Sequence, residues 1–108
     1  MSIQAIDGNM LKEMIRRAAR TLESNQDAVN ALNVFPVPDG DTGTNMSMTM
    51  ASATREVEQT SGRTVGEVAA ALAQGSLMGA RGNSGVILSQ LFRGFAKACN
   101  GHVTLDAL

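Results

Sequence analysis

The sequence is poor in the residue types on which several classes of protein depend. Its single cysteine, Cys99, lies in an apolar stretch without a disulfide partner or a metal-ligand pattern, so we expect a buried structural thiol. Tryptophan and tyrosine are absent and phenylalanine occurs three times, so the basic residues lack the stacking aromatics typical of single-strand nucleic-acid binding. Nine lysines and arginines against ten acidic residues give a net charge of −1. Such a balance predicts no nucleic-acid or anionic-lipid partner.

Long apolar segments are also missing. No stretch approaches the ~18 consecutive apolar residues of a transmembrane helix, and Asp7, Lys12 and Glu13 interrupt the region where a signal peptide would require an apolar run. We therefore expect a cytoplasmic protein without a transmembrane segment. Hydrophobic residues make up 44% of the 108 residues, which is enough for the core of one small domain or of part of a larger one.

Apolar residues recur at helical spacing along most of the chain, and no alternating strand pattern is present. Asp7 can cap the first helix, while Thr64 and Glu67 form a capping-box pattern at the fourth. The expected fold class is therefore all-α. The predicted helices cover about 8–24, 26–32, 44–60, 64–78 and 84–98, and their apolar stripes include Leu11, Met14 or Ile15, Ala18, Leu22, Met46, Met50, Ala53, Val57, Val65, Val68, Leu72, Met78, Leu88, Leu91 or Phe92, Phe95 and Cys99.

The segment before the third helix is a shaped loop that contains both prolines of the chain and two glycines. Within it, Asp39 and Asp41 stand one residue apart around Gly40. Carboxylates are the hard oxygen ligands that suit Mg²⁺ shared with phosphate groups. Asp-Gly pairs are also ordinary turn formers. The spacing alone therefore leaves a metal site and a structural turn open.

Two helix starts carry glycine and hydroxyl residues together. Thr42, Gly43 and Thr44 lie where the first loop becomes a helix, and the segment 81–85, with Ser84, leads into the last helix. Backbone N–H groups and the positive end of a helix bind phosphate, although Ser84 also fits a simple N-cap. Neither loop ends in the Gly-Lys-Ser/Thr of a Walker A motif. Any phosphoryl-transfer chemistry would follow a different design.

Two segments resemble the signature segments of the fatty acid kinase A family. They are Asn33 to Met46, NVFPVPDGDTGTNM, and Gly79 to Gly94, GARGNSGVILSQLFRG. The chain is more distantly similar to the nucleotide-binding L subunit of dihydroxyacetone kinases. The resemblance implies an antiparallel helical barrel or bundle of the DhaL type, of which residues 1–108 would form the N-terminal part, about five helices, of the kinase domain.

The resemblance also implies the ligands. Two Mg²⁺ ions that bridge the phosphates of ATP or ADP would be held by Asp39 and Asp41, with Asn33 near the place of a third aspartate in the dihydroxyacetone kinases. Arg81 would either contact phosphate as a forked donor or pair with a loop carboxylate. The matched nucleotide contacts are Thr42, Gly43, Thr44, Asn45, Arg81, Asn83, Ser84 and Gly85.

The activity implied by the resemblance is phosphorylation of a fatty acid, carried by a DegV-type binding protein, to an acyl phosphate. No catalytic residue is assigned beyond the metal site, because phosphoryl transfer rests on positioning and charge neutralisation. The alternatives are a non-catalytic module that binds Mg²⁺-nucleotide or a partner, a glycerone kinase-like activity, and a phosphohydrolase. We expect the isolated chain to be a poor kinase whose partly exposed apolar stripes favour homo-oligomers.

Overall fold

The computed structural model describes residues 6–32 and 40–100, and these ranges contain five α-helices and no β-strand. The predicted all-α class is therefore confirmed. Asn33 and Asp39, two of the proposed metal ligands, lie outside the described residues. The helices are α1 (Gly8–Ser24), α2 (Gln26–Ala31), α3 (Thr42–Gln59), α4 (Val65–Met78) and α5 (Gly82–Cys99).

Local caps fix the starts of α1 and α4. The Asp7 carboxylate accepts the N–H of Met10 at 2.8 Å, and the Thr64 hydroxyl accepts the N–H of Glu67 at 3.2 Å, as predicted. The Glu67 carboxylate turns back to the N–H of Arg63 rather than to that of Thr64. Each cap satisfies donors that the first turn of a helix leaves unpaired.

Helices α3 and α5 begin at Thr42 and Gly82, each two residues earlier than predicted. The glycine-containing segments are therefore the first turns of these helices rather than the loops before them. Their backbone N–H groups consequently lie in the first turn of a helix, where the helix itself provides no acceptor. This placement matters for the candidate site.

Helix α4 runs antiparallel to both α3 and α5. The start of the α4–α5 turn lies on the middle of α3, where the Ser52 hydroxyl donates to the carbonyl of Gly75 at 2.9 Å. At the other end, Gly66 of α4 packs against the backbone of Cys99 in α5. Since α4 is antiparallel to each neighbour, α3 and α5 are parallel. Their N-termini lie at the same end of the domain.

Helix α1 lies antiparallel along α3 and also packs on α4. The N–H of Gly8 donates to the carbonyl of Arg63 at 2.9 Å, and the Lys12 ammonium donates to the carbonyl of Thr60 at 2.8 Å. The Arg16 guanidinium reaches Glu58 at 2.6 Å and lowers the pKa of that carboxyl group. The N-terminal half of α1 is thus attached to the C-terminal end of α3.

The core lies where α3 and α4 meet α1 and α5. Met78 was expected on the apolar stripe of α4, but 67% of it is exposed, because it lies six positions after Leu72, which places it on a different side of the helix. Phe92, not Leu91, packs against the core on α5. Burial raises the pKa of the Cys99 thiol. The buried apolar residues are Leu11, Ile15, Met50, Ala53, Val57, Val65, Val68, Ala69, Leu72, Ala96 and Cys99.

Helices α1 and α5 flank the α3–α4 pair without touching each other. The space between them is an apolar groove of about 500 Å³. Met50 and Leu72 form its floor. Its walls are Leu11, Met14, Ile15, Ala18 and Leu22 of α1 and Leu88, Leu91, Phe92 and Phe95 of α5.

The approach of α4 to α3 gives a test of the packing. A Cβ atom on Gly75 would lie 2.9 Å from the Cα of Ala53 and 3.0 Å from the carbonyl oxygen of Ser52, which are backbone atoms that cannot rotate away. We expect Gly75→Ala to lower the free energy of unfolding by about 1–3 kcal/mol, because the two helices must separate. Urea unfolding followed by circular dichroism measures the change.

The matched control is Gly94→Ala in α5. Nothing lies within 4 Å of a Cβ atom at Gly94. There the substitution removes only the entropic disadvantage of glycine in a helix, and we expect stabilisation by about 0.5–1 kcal/mol. If the two variants changed stability by the same amount and sign, the packing argument would fail.

Candidate phosphate-binding site

The N-termini of α3 and α5 lie side by side, and a side chain joins them. The Ser84 hydroxyl, in the first turn of α5, donates to the carbonyl of Thr42 in the first turn of α3 at 3.4 Å. Each helix N-terminus carries about half a positive charge on its unpaired N–H groups. Two such ends at one place form a favourable location for an anion.

Two glycines at the start of α5, Gly82 and Gly85, allow this helix start to lie directly against α3. Gly82 has a φ of +65°, which favours glycine, and a Cβ atom there would lie 2.5 Å from the side-chain nitrogen of Asn45. Gly85 is buried, and a Cβ atom there would collide with the Thr49 side chain. These glycines are therefore explained by the close contact with α3 as well as by any anion.

The buried Thr49 side chain connects the first turns of α3 to the residue that precedes α5. It is fully buried, and its hydroxyl donates to the carbonyl of Asn45 at 2.8 Å while accepting the N–H of Arg81 at 3.0 Å. The start of α5 is thereby tied to the first turns of α3. Sequence reasoning missed Thr49, because a threonine beside Met50 on the inner side of a helix carries no distinct signal.

Helix α2 holds Thr44 through two amide side chains. The N–H of Thr44 donates to Oδ1 of Asn30 at 3.0 Å, which sets the orientation of that amide. The Thr44 hydroxyl then accepts Nδ2 of Asn30 at 3.0 Å and Nε2 of Gln26 at 3.2 Å. A hydroxyl group has two acceptor positions and one donor. Both acceptor positions are filled, and no acceptor for the Thr44 hydroxyl proton is seen among residues 6–32 and 40–100.

Gly43 allows α2 to come this close. It is buried, and a Cβ atom there would collide with the carbonyl of Gln26 and the side chain of Asn30. Helix α2 therefore packs directly on the first turn of α3. Its six residues carry no capping box and no long apolar stripe, so the sequence did not indicate that it supports the site.

The structure brings most of the predicted nucleotide contacts to one end of the domain. Asp41 is exposed immediately before α3, and Arg81 and Asn83 are exposed at the start of α5. The half-buried residues there are Thr42, Thr44, Asn45 and Ser84, and the buried ones are Gly43 and Gly85. Within 6–32 and 40–100, no group of three or more His, Cys, Asp or Glu residues could hold a metal ion. Of the three proposed metal ligands, only Asp41 lies in these ranges.

The donor set at this end suits an anion accompanied by a hard cation. The helix N-termini and the Thr44 hydroxyl present hydrogen-bond donors, and Asp41 presents an exposed carboxylate beside them. Carboxylate oxygen is a preferred ligand of Mg²⁺, which binds proteins through one or two carboxylates and the oxygens of a phosphate. The described residues therefore fit a magnesium-phosphate group.

These features belong to a helical, nucleotide-binding class of kinase-related domains. The chain is a member of the DAK2 domain family, which matches residues 36–108 and includes both helix starts. Proteins of this family bind ATP or ADP, and membership supports a kinase-related, nucleotide-binding module. No helix in the described part of the chain is long and apolar enough to cross a membrane.

The curated relatives are much longer proteins. The chain is 58% identical over 108 residues to the YloV protein of Bacillus subtilis and covers 20% of it. It is 51% identical over 105 residues to an uncharacterized protein of Staphylococcus saprophyticus, covering 97% of this chain and 19% of that protein. An uncharacterized protein of Staphylococcus aureus strain USA300 is 56% identical over 95 residues, covering 88% of this chain and 17% of that protein. The chain thus spans about one fifth of their length.

Thr49 provides a test of the link between the two helix starts. We expect Thr49→Val to destabilise the domain by about 1–3 kcal/mol, because the isosteric side chain leaves the buried N–H of Arg81 without its acceptor. Amide hydrogen exchange at Arg81 should accelerate. Urea unfolding and hydrogen-exchange NMR measure the two effects.

Thr54→Val is the matched control, because the Thr54 hydroxyl donates only to the carbonyl of Met50 within α3. We expect little change in stability and none in exchange at Arg81. Equal destabilisation by both variants would show that Thr49 does not act through the start of α5.

Proposed function

We propose that this chain binds the phosphates of Mg²⁺-ATP at the paired N-termini of α3 and α5, as part of a phosphotransferase. The observation that carries the proposal is the arrangement around Thr44. Its hydroxyl proton has no acceptor among residues 6–32 and 40–100, and it lies next to two helix N-termini that Ser84 and Thr49 hold together. Such an end binds a polyphosphate in preference to a neutral ligand.

Asp39 and Asp41 would hold two Mg²⁺ ions, with the side-chain carbonyl of Asn33 as a third ligand. When bound, these ions neutralise charge on the phosphates and polarise the transferred group.

The chain's own residues bind and orient the nucleotide. Backbone N–H groups at the start of α3, together with the Thr44 hydroxyl, address one side of the polyphosphate. Asn83 and Ser84 address the other side, whereas the N–H of Gly85 donates to the carbonyl of Arg81 at 3.0 Å within α5. The Asn45 side chain lies against Gly82.

The acceptor that we propose is the carboxylate of a fatty acid presented by a DegV-type binding protein. A carboxylate oxygen forms a bond to the γ-phosphorus while the bond from that phosphorus to the β,γ-bridging oxygen breaks, which yields an acyl phosphate and ADP. A carboxylic acid with a pKa near 4–5 is already ionised at neutral pH, so this acceptor needs no general base. The absence of an assigned base is consistent with such an acceptor.

Further helices would complete the domain. The curated relatives are about five times as long as this chain, and the apolar groove between α1 and α5 lies open. We propose that the chain is the N-terminal part of a DhaL-like kinase domain whose later helices cover this groove. Alone, residues 1–108 would then bind nucleotide weakly, lack kinase activity and associate through the groove. A cytoplasmic location, where ATP is available, belongs to the same proposal.

Two alternatives remain distinguishable. A non-catalytic module would bind Mg²⁺-nucleotide at the same helix ends without transferring phosphate. A glycerone kinase-like activity would phosphorylate a hydroxyl group, which must lose its proton during transfer and therefore calls for a general base. The acceptor in a transfer assay decides among these functions.

The proposed function is tested by transfer of labelled γ-phosphate from ATP to a fatty acid loaded on a DegV-type protein. We expect no transfer by residues 1–108 alone. Transfer should occur when the chain is joined to the segment that follows the matched region in the Bacillus subtilis protein. Asp41→Ala in the joined protein should reduce Mg²⁺-dependent ATP affinity by about tenfold or more, since a charge-assisted contact is lost.

Glu23→Ala, which removes an exposed carboxylate on α1, is the control for Asp41→Ala and should leave affinity unchanged. Nucleotide binding without transfer to any acceptor would favour the non-catalytic module. Transfer to glycerone but not to a fatty acid would favour the glycerone kinase-like activity. Undiminished Mg²⁺-dependent affinity in Asp41→Ala would exclude our metal assignment.

Ser84→Ala separates phosphate recognition from recognition of the base. We expect affinity for Mg²⁺-ATP to fall by about threefold to tenfold, the loss of one hydrogen bond, while adenosine binding stays the same. Calorimetric titration with both ligands measures the difference. Ser61→Ala, an exposed serine between α3 and α4 at the opposite end of the domain, should change neither affinity. An equal loss for ATP and adenosine would point to a folding defect instead.

A further inference from the structure

A polar cleft lies on the outer side of α3 and extends from Arg81, just before α5, to Arg55. Its volume is about 160 Å³, room for a group of several non-hydrogen atoms, since liquid water occupies about 30 Å³ per molecule. Arg55 projects to it from α3, and Arg81 projects to it from the turn between α4 and α5. The other lining residues are Met48, Ala51, Ser52 and Gly79.

No described acidic residue compensates the positive charge of this cleft. No acidic residue lines it, and neither Arg55 nor Arg81 forms an ion pair with a described residue. Arg16 on α1 behaves differently, because it contacts both Glu13 and Glu58. Two guanidinium groups that share one small cleft repel each other unless an anion lies between them.

The walls of the cleft are fixed by packing. The Ser52 hydroxyl is engaged with the carbonyl of Gly75 at 2.9 Å, and Gly79 lies so close to Ser52 that a Cβ atom would collide with it. The N–H of Arg81 is held by the Thr49 hydroxyl at 3.0 Å. The base of the Arg81 side chain therefore has a set position relative to α3. The two arginines approach the cleft from elements whose spacing cannot easily change.

This cleft is distinct from the phosphate-binding end. Arg55 follows Thr44 by 11 positions in the same helix, which places its backbone about 16 Å further along α3 at a rise of 1.5 Å per residue. Only Arg81 is common to the two places. An oxyanion bound beside Arg55 is therefore separate from a phosphate held at the helix N-termini, although Arg81 lines the cleft and directly precedes α5.

We propose that Arg55 and Arg81 form an oxyanion-binding site for a carboxylate or phosphate group. Guanidinium groups match the planar geometry of these oxyanions and bind them through paired, charge-assisted hydrogen bonds. The oxyanion is supplied either by free inorganic phosphate or by a fatty-acid carboxylate. The site does not depend on nucleotide binding, so the two proposals fail independently.

The test is titration of the ¹⁵N-labelled chain with inorganic phosphate and, separately, with hexanoate. We expect chemical-shift changes at the amides of Ser52, Arg55 and Gly79. Arg55→Gln should weaken this binding by about tenfold, the loss of a charge-assisted contact, and Arg55→Lys should restore part of it. Arg20→Gln, which removes an exposed arginine on α1, is the matched control and should have no effect.

The tighter of the two ligands identifies the source of the oxyanion. Mg²⁺-ATP affinity should be the same in Arg55→Gln as in the unaltered chain, whereas Ser84→Ala should leave oxyanion binding at the cleft intact. The proposal is overturned if neither ligand shifts these amides, or if Arg55→Gln and Arg20→Gln bind both ligands equally well. Arg55 is exposed, so its replacement should not unfold the chain, and circular dichroism checks this.

Discussion

The close approach of α4 to α3 is the constraint on which the rest of the domain depends. Glycines in the last turn of α4 and small residues in the middle of α3 let the two backbones come within contact distance. Because α4 is antiparallel to both neighbours and its connection to α5 is short, this approach decides where α5 begins. A bulkier α4 would displace the start of α5 from the start of α3, and the two positive helix ends would no longer act on one anion.

Small residues allow the helices to pack closely, and hydrogen bonds between polar groups then fix the positions of the helix starts. The Thr49 hydroxyl is buried between the two helix starts, and the amides of Gln26 and Asn30 fill both acceptor positions of Thr44. These contacts are satisfied within the protein and do not require a ligand. The site is therefore ordered before an anion arrives, and a bound phosphate loses less free energy to ordering its surroundings. A preorganised cradle is also what phosphoryl transfer needs, because the reaction relies on positioning.

The sequence predicted the helical class and most helix bounds, because periodicity and caps are local properties. It placed the starts of α3 and α5 two residues late, since the glycine-containing first turns at Gly43 and Gly82 have weak helix propensity and no apolar repeat. Met78 was wrongly expected on the apolar stripe of α4, because its spacing of six positions from Leu72 does not match the helical repeat. The resemblance identified the DAK2 family correctly.

The supporting residues of the site were beyond the reach of sequence reasoning for a different reason. Gln26 and Asn30 lie 18 and 14 positions from Thr44, and their hydrogen bonds exist only once α2 has packed on α3. Thr49 and Arg81 are separated by 32 positions. Pairings of this kind are set by tertiary structure, whereas the glycine and hydroxyl residues at the helix starts carry a local signal that pattern reasoning can use.

The order of contacts along the chain has a consequence for biosynthesis. Helices α2, α3 and α4 each pack on the next helix in sequence, so most of the packing that precedes the joining of the two helix starts involves neighbouring helices and forms quickly. Once these residues have left the ribosome, all the residues that join the two helix starts are available to fold. The groove between α1 and α5 stays open to solvent during that interval. A nascent polypeptide in this state presents a finished anion cradle together with an adhesive apolar flank, the kind of surface that chaperones bind.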